Sequence, residues 1–514
     1  MNNNNYNAAY ELLANKPEEV LNKTAFVDDY ESIKYSQLIK KVQSFSYSLL
    51  NSGIQKNDRI LICMYDSINY PICFLGAIWS GIIPICINTM LPKKDLKYML
   101  DDSNARGVIC SEELLNIFID LNKGKRKYIL FSDYKEKDSY YGNKVTSIKS
   151  MIKNNLYQSF PSKTHRNSEC FWLYSSGSTG KPKGTIHVHE SLLNTADLYA
   201  KKILKIKKND IFFSAAKLFF AYGLGNALTF PLSIGGTSIL TKERPTESLI
   251  IKILQKHNVT LFFGVPTLYA AILNTKINFK NFKSLRLAVS AGEALPEHLC
   301  KKWEKLSGKQ VLDGIGSTEM LHIFISNKID DIYPGSSGKL VEGYEARIIK
   351  DDNTEADFNE IGELEIKGPT AAIGYWNKPE KTKATFIKKW TKTGDKYTRN
   401  SLGVYTYCGR TDDMMKVSGQ YVSPFEIEAA LQSHPAVLEA AVVGKFNDDN
   451  LLKPKAYIVL NKNININHRK LETELTNHIK KVLTPFKYPR WYKFLSALPK
   501  TATGKIQRYK LRDQ

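Results

Sequence analysis

Arg59-Ile-Leu-Ile-Cys-Met64 is an unbroken apolar run that opens on a charge and gives way to the more polar Tyr65-Asp-Ser67. Without alternation there is no solvent face, so it reads as a strand buried on both sides. A helical stretch around Ile72–Trp79 follows, and then a second apolar strand, Ile83-Pro-Ile-Cys-Ile87. Strand, helix and strand in that order predict a βαβ unit and hence parallel pairing. Similar strands recur at Lys127–Phe131, Phe171–Tyr174, Thr260–Phe263 and Leu285–Ser290, with helical patterns between them. From Gly335 to Tyr407 the pattern changes to short strands and turns, at Ala346–Ile349, Glu363–Lys367 and Gly403–Tyr407. After the polar junction Arg410-Thr-Asp-Asp413 the chain restarts with helix Pro424–Gln432, strands Ala440–Val443 and Lys455–Leu460, helix His468–Leu483 and a basic tail. The expected fold is therefore α/β. A large N-terminal body of layered α/β subdomains plus a β-rich subdomain is expected over residues 1–411, and a small, separate α+β C-terminal domain over residues 412–514.

Composition agrees with a folded chain of that size. The 514 residues are 43% hydrophobic, 24% charged and 11% aromatic, which rules out wholesale disorder. The seven cysteines form no C-x-x-C pair and mostly lie in apolar runs, so reduced structural thiols of a cytoplasmic protein are expected. A net charge of +22 raises the question of nucleic acid. Lysine, however, is spread over every segment without long blocks, as in Lys201–Lys208, where Ile and Leu interrupt it. No nucleic-acid partner is expected. The start, Met1 followed by Asn2 to Asn5, has no apolar core, so no secretory signal is expected. The uncharged stretches Ser67–Pro92 and Leu218–Thr241 are broken by Pro and Gly and read as buried helix-plus-strand pieces rather than membrane spans.

The chemistry is concentrated in Tyr174-Ser-Ser-Gly-Ser-Thr-Gly-Lys-Pro-Lys-Gly184, between two strands. Its hydroxyls (Ser175, Ser176, Ser178, Thr179), glycines (Gly177, Gly180) and lysines (Lys181, Lys183) make a loop able to close over a polyphosphate. It is not a Walker loop, because Pro182 stands where that pattern requires glycine. Gly223-Leu-Gly225-Asn-Ala-Leu228 begins like a dinucleotide fingerprint but lacks the third glycine and the strand-helix spacing. Asp313-Gly-Ile-Gly-Ser-Thr-Glu319 presents a hydroxyl and a carboxylate after a glycine turn, and Glu319 offers an oxygen ligand of the kind Mg²⁺ shares with substrate phosphates. Alone, such a turn is as readily structural. Thr393-Gly-Asp395 places an acid able to accept both hydroxyls of a ribose, and Leu498-Pro-Lys-Thr-Ala-Thr-Gly-Lys505 is a second lysine-bearing turn.

In this order, with Gly409-Arg410-Thr-Asp412-Asp413 between the last two, these elements resemble the adenylate-forming superfamily of acyl-CoA synthetases, adenylation domains and luciferases from end to end. Lys217-Leu-Phe-Phe-Ala-Tyr-Gly-Leu-Gly-Asn226, the stretch ending Met320-Leu-His-Ile-Phe324, and Lys416-Val-Ser-Gly-Gln-Tyr-Val-Ser-Pro424 are similar to benzoate–CoA ligases, as are Phe74-Leu-Gly-Ala-Ile78 and Asn88-Thr-Met-Leu91.

The resemblance implies a ligase that uses ATP, Mg²⁺ and coenzyme A on a benzoate-like acid, cytoplasmic, with a homodimer as a family-level expectation. It assigns the β- and γ-phosphates to the 174–184 loop, the α-phosphate and Mg²⁺ to Thr318 and Glu319, and ribose to Asp395 and Arg410. Adenine would lie against Ala291-Gly292-Glu293 and Asp313-Gly314-Ile315-Gly316, where Ile315 departs from the family's usual aromatic residue. Lys505 would bridge the acid and the α-phosphate. Phe220, Ala221, Tyr222, Gly223 and His322 would take the acid. Lys416, Ser418 and Gly419 would line the path of the CoA thiol, and Asp412 would be the hinge. Short- or medium-chain or alicyclic acids, and a carrier protein in place of CoA, remain open at the level of sequence.

Overall fold

The computed structural model describes residues 5–123, 127–134, 145–153, 159–175, 181–275, 279, 282–417, 420–448, 451–461, 467–484, 487–500 and 506–512. The βαβ unit is present: strand Arg59–Cys63, helix Asn69–Trp79 and strand Ile83–Cys86, with the strands parallel in the register Arg59↔Ile83. Tyr70 to Trp79 are all buried, so this helix has no polar face to show and its sequence is apolar all round.

That unit sits in the middle of an eight-stranded sheet. Gly107–Cys110, Ile129–Ser132 and Val145–Ser147 extend it in parallel on one side. On the other side Glu169–Ser175 joins in parallel, and Lys183–Val188 and Gly374–Tyr375 add antiparallel strands. A second, nine-stranded sheet is parallel at its centre, through Ile211–Ser214, Leu261–Gly264, Leu287–Ser290 and Val311–Gly316. It turns antiparallel at Ile323–Ser326. One apolar cluster joins the two layers: Phe74 and Phe171 from the first lie in the same core as Leu218, Leu224 and Leu321 from the second.

The β-rich part is an antiparallel sheet of Glu345–Ile349, Gly362–Lys367, Phe386–Ile387, Trp390–Arg399 and Tyr405–Arg410. Its last strand begins two residues later than the sequence pattern predicts. Asn400 explains the difference, because its side chain accepts from the amides of Leu402 and Val404 and extends the turn. Beyond it the strands Val437–Phe446, Leu452–Leu460 and Trp491–Phe494 pack with helices Pro424–Gln432 and His468–Val482 around a separate apolar core.

The long uncharged stretches resolve as helix-plus-strand pieces, the second being Ala221–Leu224, a π-helical turn Gly225–Thr229, Phe230–Ile234 and strand Thr237–Ile239. Among the described residues no helix is long and apolar enough to cross a membrane. All seven cysteines are buried and unpaired.

Candidate active site

A cleft of about 1660 Å³ opens where the sheets, the β-rich part and the C-terminal segment meet. Ser175 and Lys183 are opposed on paired antiparallel strands and both line it, so the two flanks of the phosphate loop stand together at its wall. Residues Ser176, Gly177, Ser178, Thr179 and Gly180 lie outside the described residues. Lys181 is exposed, with Nζ 5.2 Å from the centre of the Tyr98 ring.

The Asp313–Glu319 turn faces those strands from the other sheet. Glu319 Oε1 accepts from Tyr375 Oη at 2.7 Å and from Ser175 Oγ at 3.4 Å, and lies 3.9 Å from Lys183 Nζ. Lys183 also sits 4.1 Å from the centre of the Tyr375 ring. Burial pulls the Lys183 ammonium below its ordinary pKa, and the Glu319 carboxylate opposes that pull. Tyr375 is a partner that sequence reasoning missed. It comes from a short strand added at the sheet edge, Gly374–Tyr375, far from the other motifs in sequence, and nothing in its spacing marks it.

The ribose candidates are built by strand register. Asp395 and Arg410 are directly opposed on Trp390–Arg399 and Tyr405–Arg410, and Arg410 Nη1 donates to Asp395 Oδ1 at 2.9 Å and to the Thr393 carbonyl at 3.2 Å. Gly394 has φ +71°, which favours glycine, and a Cβ there would lie 2.9 Å from Arg410 Nη2 and displace that guanidinium. Gly292, Glu293, Asp313, Gly314, Ile315 and Gly316 line the cleft as well, while Ala291 is buried next to them. Burial raises the Asp313 carboxyl to about 8 against the amide of Leu295 and the hydroxyl of Ser290, which favour its charged form.

Of the acid candidates, Phe220 lines the cleft, together with Phe219, Cys86 and Pro266, none of which the sequence reading selected. Ala221, Tyr222, Gly223 and His322 are not among the described lining residues. Tyr222 Oη donates to the Val289 carbonyl at 3.3 Å. His322 is 3% exposed, with Nε2 3.1 Å from Asn226 Oδ1 and its ring packed on Tyr199, Tyr222 and Phe230. Burial pushes its pKa down to about 3, so this imidazole is neutral.

At the C-terminal side, Asp412 and Asp413 line the cleft, as do Phe425, Glu428, Ile506 and Arg508. Lys416 lies on Met415–Val417, which pairs with Gln420–Val422, while Ser418, Gly419 and Lys505 fall outside the described residues. The residues flanking the Lys505 loop are held together by a bridge between Lys500 and Ile506 and by the Gln507 amide donating to the Pro499 carbonyl at 2.8 Å. The Ile506 amide then donates to Glu293 Oε1 at 3.3 Å, bringing this segment to the expected adenine turn.

Glu319 fits a Mg²⁺ role in the restricted sense that one carboxylate, beside the hydroxyl of Ser175 in a cleft that Thr318 also lines, can complement substrate phosphates. Among the described residues no group of three or more His, Cys, Asp or Glu forms an all-protein metal cage.

A cleft bounded by a two-sheet body and a small C-terminal unit fits a known class, and the chain belongs to it: it is a member of the AMP-binding enzyme family. The AMP-binding enzyme profile matches residues 13–376 and the AMP-binding enzyme C-terminal domain matches 426–505. Over 514 residues the chain is 48% identical to the benzoate–CoA ligase of Thauera aromatica, covering 99% of this chain and 96% of that one. It is 42% identical to the 4-hydroxybenzoate–CoA/benzoate–CoA ligase of Rhodopseudomonas palustris, covering 99% and 94%. Among solved structures, a benzoate CoA ligase from Burkholderia xenovorans LB400 superposes with a TM-score of 0.91 at 43% identity, covering 99% of this chain and 100% of that one. The anthranilate CoA ligase AuaEII, in complex with anthranoyl-AMP, superposes with a TM-score of 0.93 at 37% identity, covering 99% and 97%.

Proposed function

We propose that this AMP-forming acid–CoA ligase activates a benzoate-like aromatic acid. ATP and the acid give the acyl-adenylate with release of pyrophosphate, and the thiol of CoA then displaces AMP to give the aryl-CoA thioester. The observation that carries the reading is the convergence of Ser175, Lys183 and Tyr375 on Glu319, in one cleft with the Asp395–Arg410 pair and an apolar wall at Phe219 and Phe220.

A carboxylate resists attack because it is charged and has no leaving group; joining it to AMP removes both obstacles. In this proposal Lys181, Lys183 and the hydroxyls and amides of residues 175–180 hold the outer phosphates. Thr318 and Glu319 meet the α-phosphate, and Asp395 and Arg410 fix the ribose. Mg²⁺, when bound, neutralises phosphate charge beside Glu319. Lys505 opposes the negative charge that grows between carboxylate and α-phosphate, a contribution on the order of 3 kcal/mol for one preorganised donor. Phe220 and the adjoining Ala221, Tyr222, Gly223 and His322 shape the acid site, and Lys416, Ser418 and Gly419 serve the thiol after a turn at Asp412. The division into body 1–411 and cap 412–514, a cytoplasmic setting and a homodimer belong to the same proposal, which needs no nucleic-acid or membrane partner.

The test is pyrophosphate exchange across a panel of aryl, alicyclic and short aliphatic acids, followed by CoA. Exchange with benzoate-like acids and a thioester product are expected. No exchange with any acid overturns the proposal, and adenylate that is formed but never passed to CoA redirects it toward a carrier protein.

A further inference from the structure

We infer that His187 is a positioning residue for adenylate formation: it holds the Thr318 carbonyl, and through it the Glu319 carboxylate, in register with the strand that carries Lys183. The inference rests on the proposed adenylation chemistry and adds to it a residue outside the recognised motifs.

His187 lies on strand Lys183–Val188, four residues after Lys183, with no exposed surface. Its ring stacks on Phe171 at 5.2 Å with an interplanar angle of 19°, which fixes its orientation. Nε2 stands 2.8 Å from the Thr318 carbonyl, and Nδ1 has no hydrogen-bond partner among the described residues. A carbonyl only accepts, so Nε2 carries the proton and the ring acts as a fixed donor. Burial lowers its pKa to about 4, so the ring stays neutral through the physiological range.

The turn it grips needs holding. Leu321, a bulky residue, has φ +65° in the left-handed region and is buried. Such a conformation persists only where the surroundings over-determine it. Each of the three carbonyls before it is fixed from another element. That of Thr318 is held by His187, that of Glu319 by the Ala372 amide at 2.8 Å, and that of Met320 by Thr370 Oγ1 at 2.8 Å. Thr318 also accepts from the Leu321 amide at 3.2 Å, a bond within the turn itself. Of these outside donors, only His187 shares a strand with Lys183, whose Nζ approaches Glu319. It therefore sets the spacing between the outer-phosphate group and the α-phosphate group across two different sheets.

The experiment compares His187→Gln and His187→Asn. A Gln amide nitrogen reaches approximately the place of Nε2, whereas that of Asn falls near Nδ1, short of the carbonyl. Both are polar and both disturb the core, so a merely structural role treats them alike. The expected result is that His187→Asn lowers the kcat of acid-dependent pyrophosphate exchange about tenfold or more. KM for acid and for ATP should stay within about twofold, consistent with loss of an interaction felt in the transition state. His187→Gln should recover most of the rate. Conversion of supplied aryl-adenylate and CoA to thioester should be nearly unchanged in both. Equal rates in the two soluble variants, or a change confined to KM, overturns the inference. So does the failure of either variant to fold, which assigns His187 to the core instead. Wild-type exchange is run alongside: its absence would sink the adenylation reading itself, whereas its presence with equal variants sinks only the role of His187.

Discussion

Asp313 shows how a site residue departs from its ordinary chemistry. Its carboxyl rises from 3.8 to about 8 because burial disfavours the charge more than the Leu295 amide and the Ser290 hydroxyl favour it. Between those two values the folded chain keeps a proton that the unfolded chain has released, so this group's contribution to stability falls as pH rises through that window. Above about 8 both states are charged and the loss levels off. Asp313→Asn keeps an acceptor for Leu295 and removes the buried charge. Its melting temperature should therefore gain on wild type as pH climbs from the acid end towards about 8. A difference that is flat across a thermal-shift series in pH would show that no buried charge develops there. The buried histidines act with the opposite sign. His187, His189 and His322 fall from 6.5 to about 4, 4 and 3, so the stability of neutral burial is present above 6.5 and lost as pH drops towards 4, and for His322 towards 3. Acid unfolding should follow these rings rather than Asp313.

At the scale of elements, the strands most legible in the sequence were those buried on both faces. Arg59–Cys63 and Ile83–Cys86 read as continuous apolar runs because no face of them meets water. Helix Pro424–Gln432 has the bounds expected from the sequence, and its cap explains the sharp start: Ser423 accepts from the Glu426 amide and Pro424 opens the first turn. What sequence could not give was the convergence of separate strands. Tyr375 and His187 act through contacts across sheets, and neither carries a local pattern that distinguishes it from core. Of the residues proposed for the acid, Phe220 faces the cleft, while Tyr222 donates to the Val289 carbonyl and His322 lies against Asn226. The junction after Tyr405–Arg410 carries the proposed hinge at Asp412, and its surroundings are tightly packed. Gly409 has φ +142°, and a Cβ there would lie 2.8 Å from Met414 Sδ. Arg508 makes a two-pronged pair with buried Glu428 at 3.0 and 2.7 Å, and lies 3.7 Å from Asp413. Arg512 donates to the Asp412 carbonyl at 2.9 Å and pairs with Asp413. The last segment is thus fastened to the residues just past the junction, and in the proposed hinge a rotation at Asp412 would carry that segment with it. Asp412→Pro fixes φ near −65°. It should slow one half-reaction selectively, read by comparing pyrophosphate exchange with thioester formation from supplied adenylate. Equal rates in both would remove the hinge.

At the scale of the whole molecule, the +22 charge explains little. Many of its lysines sit in solvent-exposed pairs such as Lys97–Asp101 and Lys201–Asp197, which contribute at most about 1 kcal/mol each. More informative is how the C-terminal unit, with its own apolar core, meets the rest. Phe425 stacks edge-on against Tyr407 at 5.6 Å, and the Ile506 amide reaches Glu293. That contact brings the segment following Lys505 to the turn proposed to hold adenine. The same arrangement leaves the hairpin of Met415–Val417 and Gln420–Val422 packed on its own unit, against strand Leu452–Leu460. If one unit serves the two steps in two orientations, their requirements must separate. In the proposed mechanism Lys505→Ala removes a charge needed only while the acid attacks the α-phosphate. It should depress acid-dependent pyrophosphate exchange by about 10²–10³. The rate at which supplied aryl-adenylate and CoA become thioester should stay near that of wild type, because no phosphorus–oxygen bond to the acid has to form. Circular dichroism and thermal melting should match wild type, since the unit's core is built around Leu471, Leu475 and Ile479. A parallel loss in both half-reactions would mean that Lys505 supports the unit's docking as a whole, and that the two steps share one orientation.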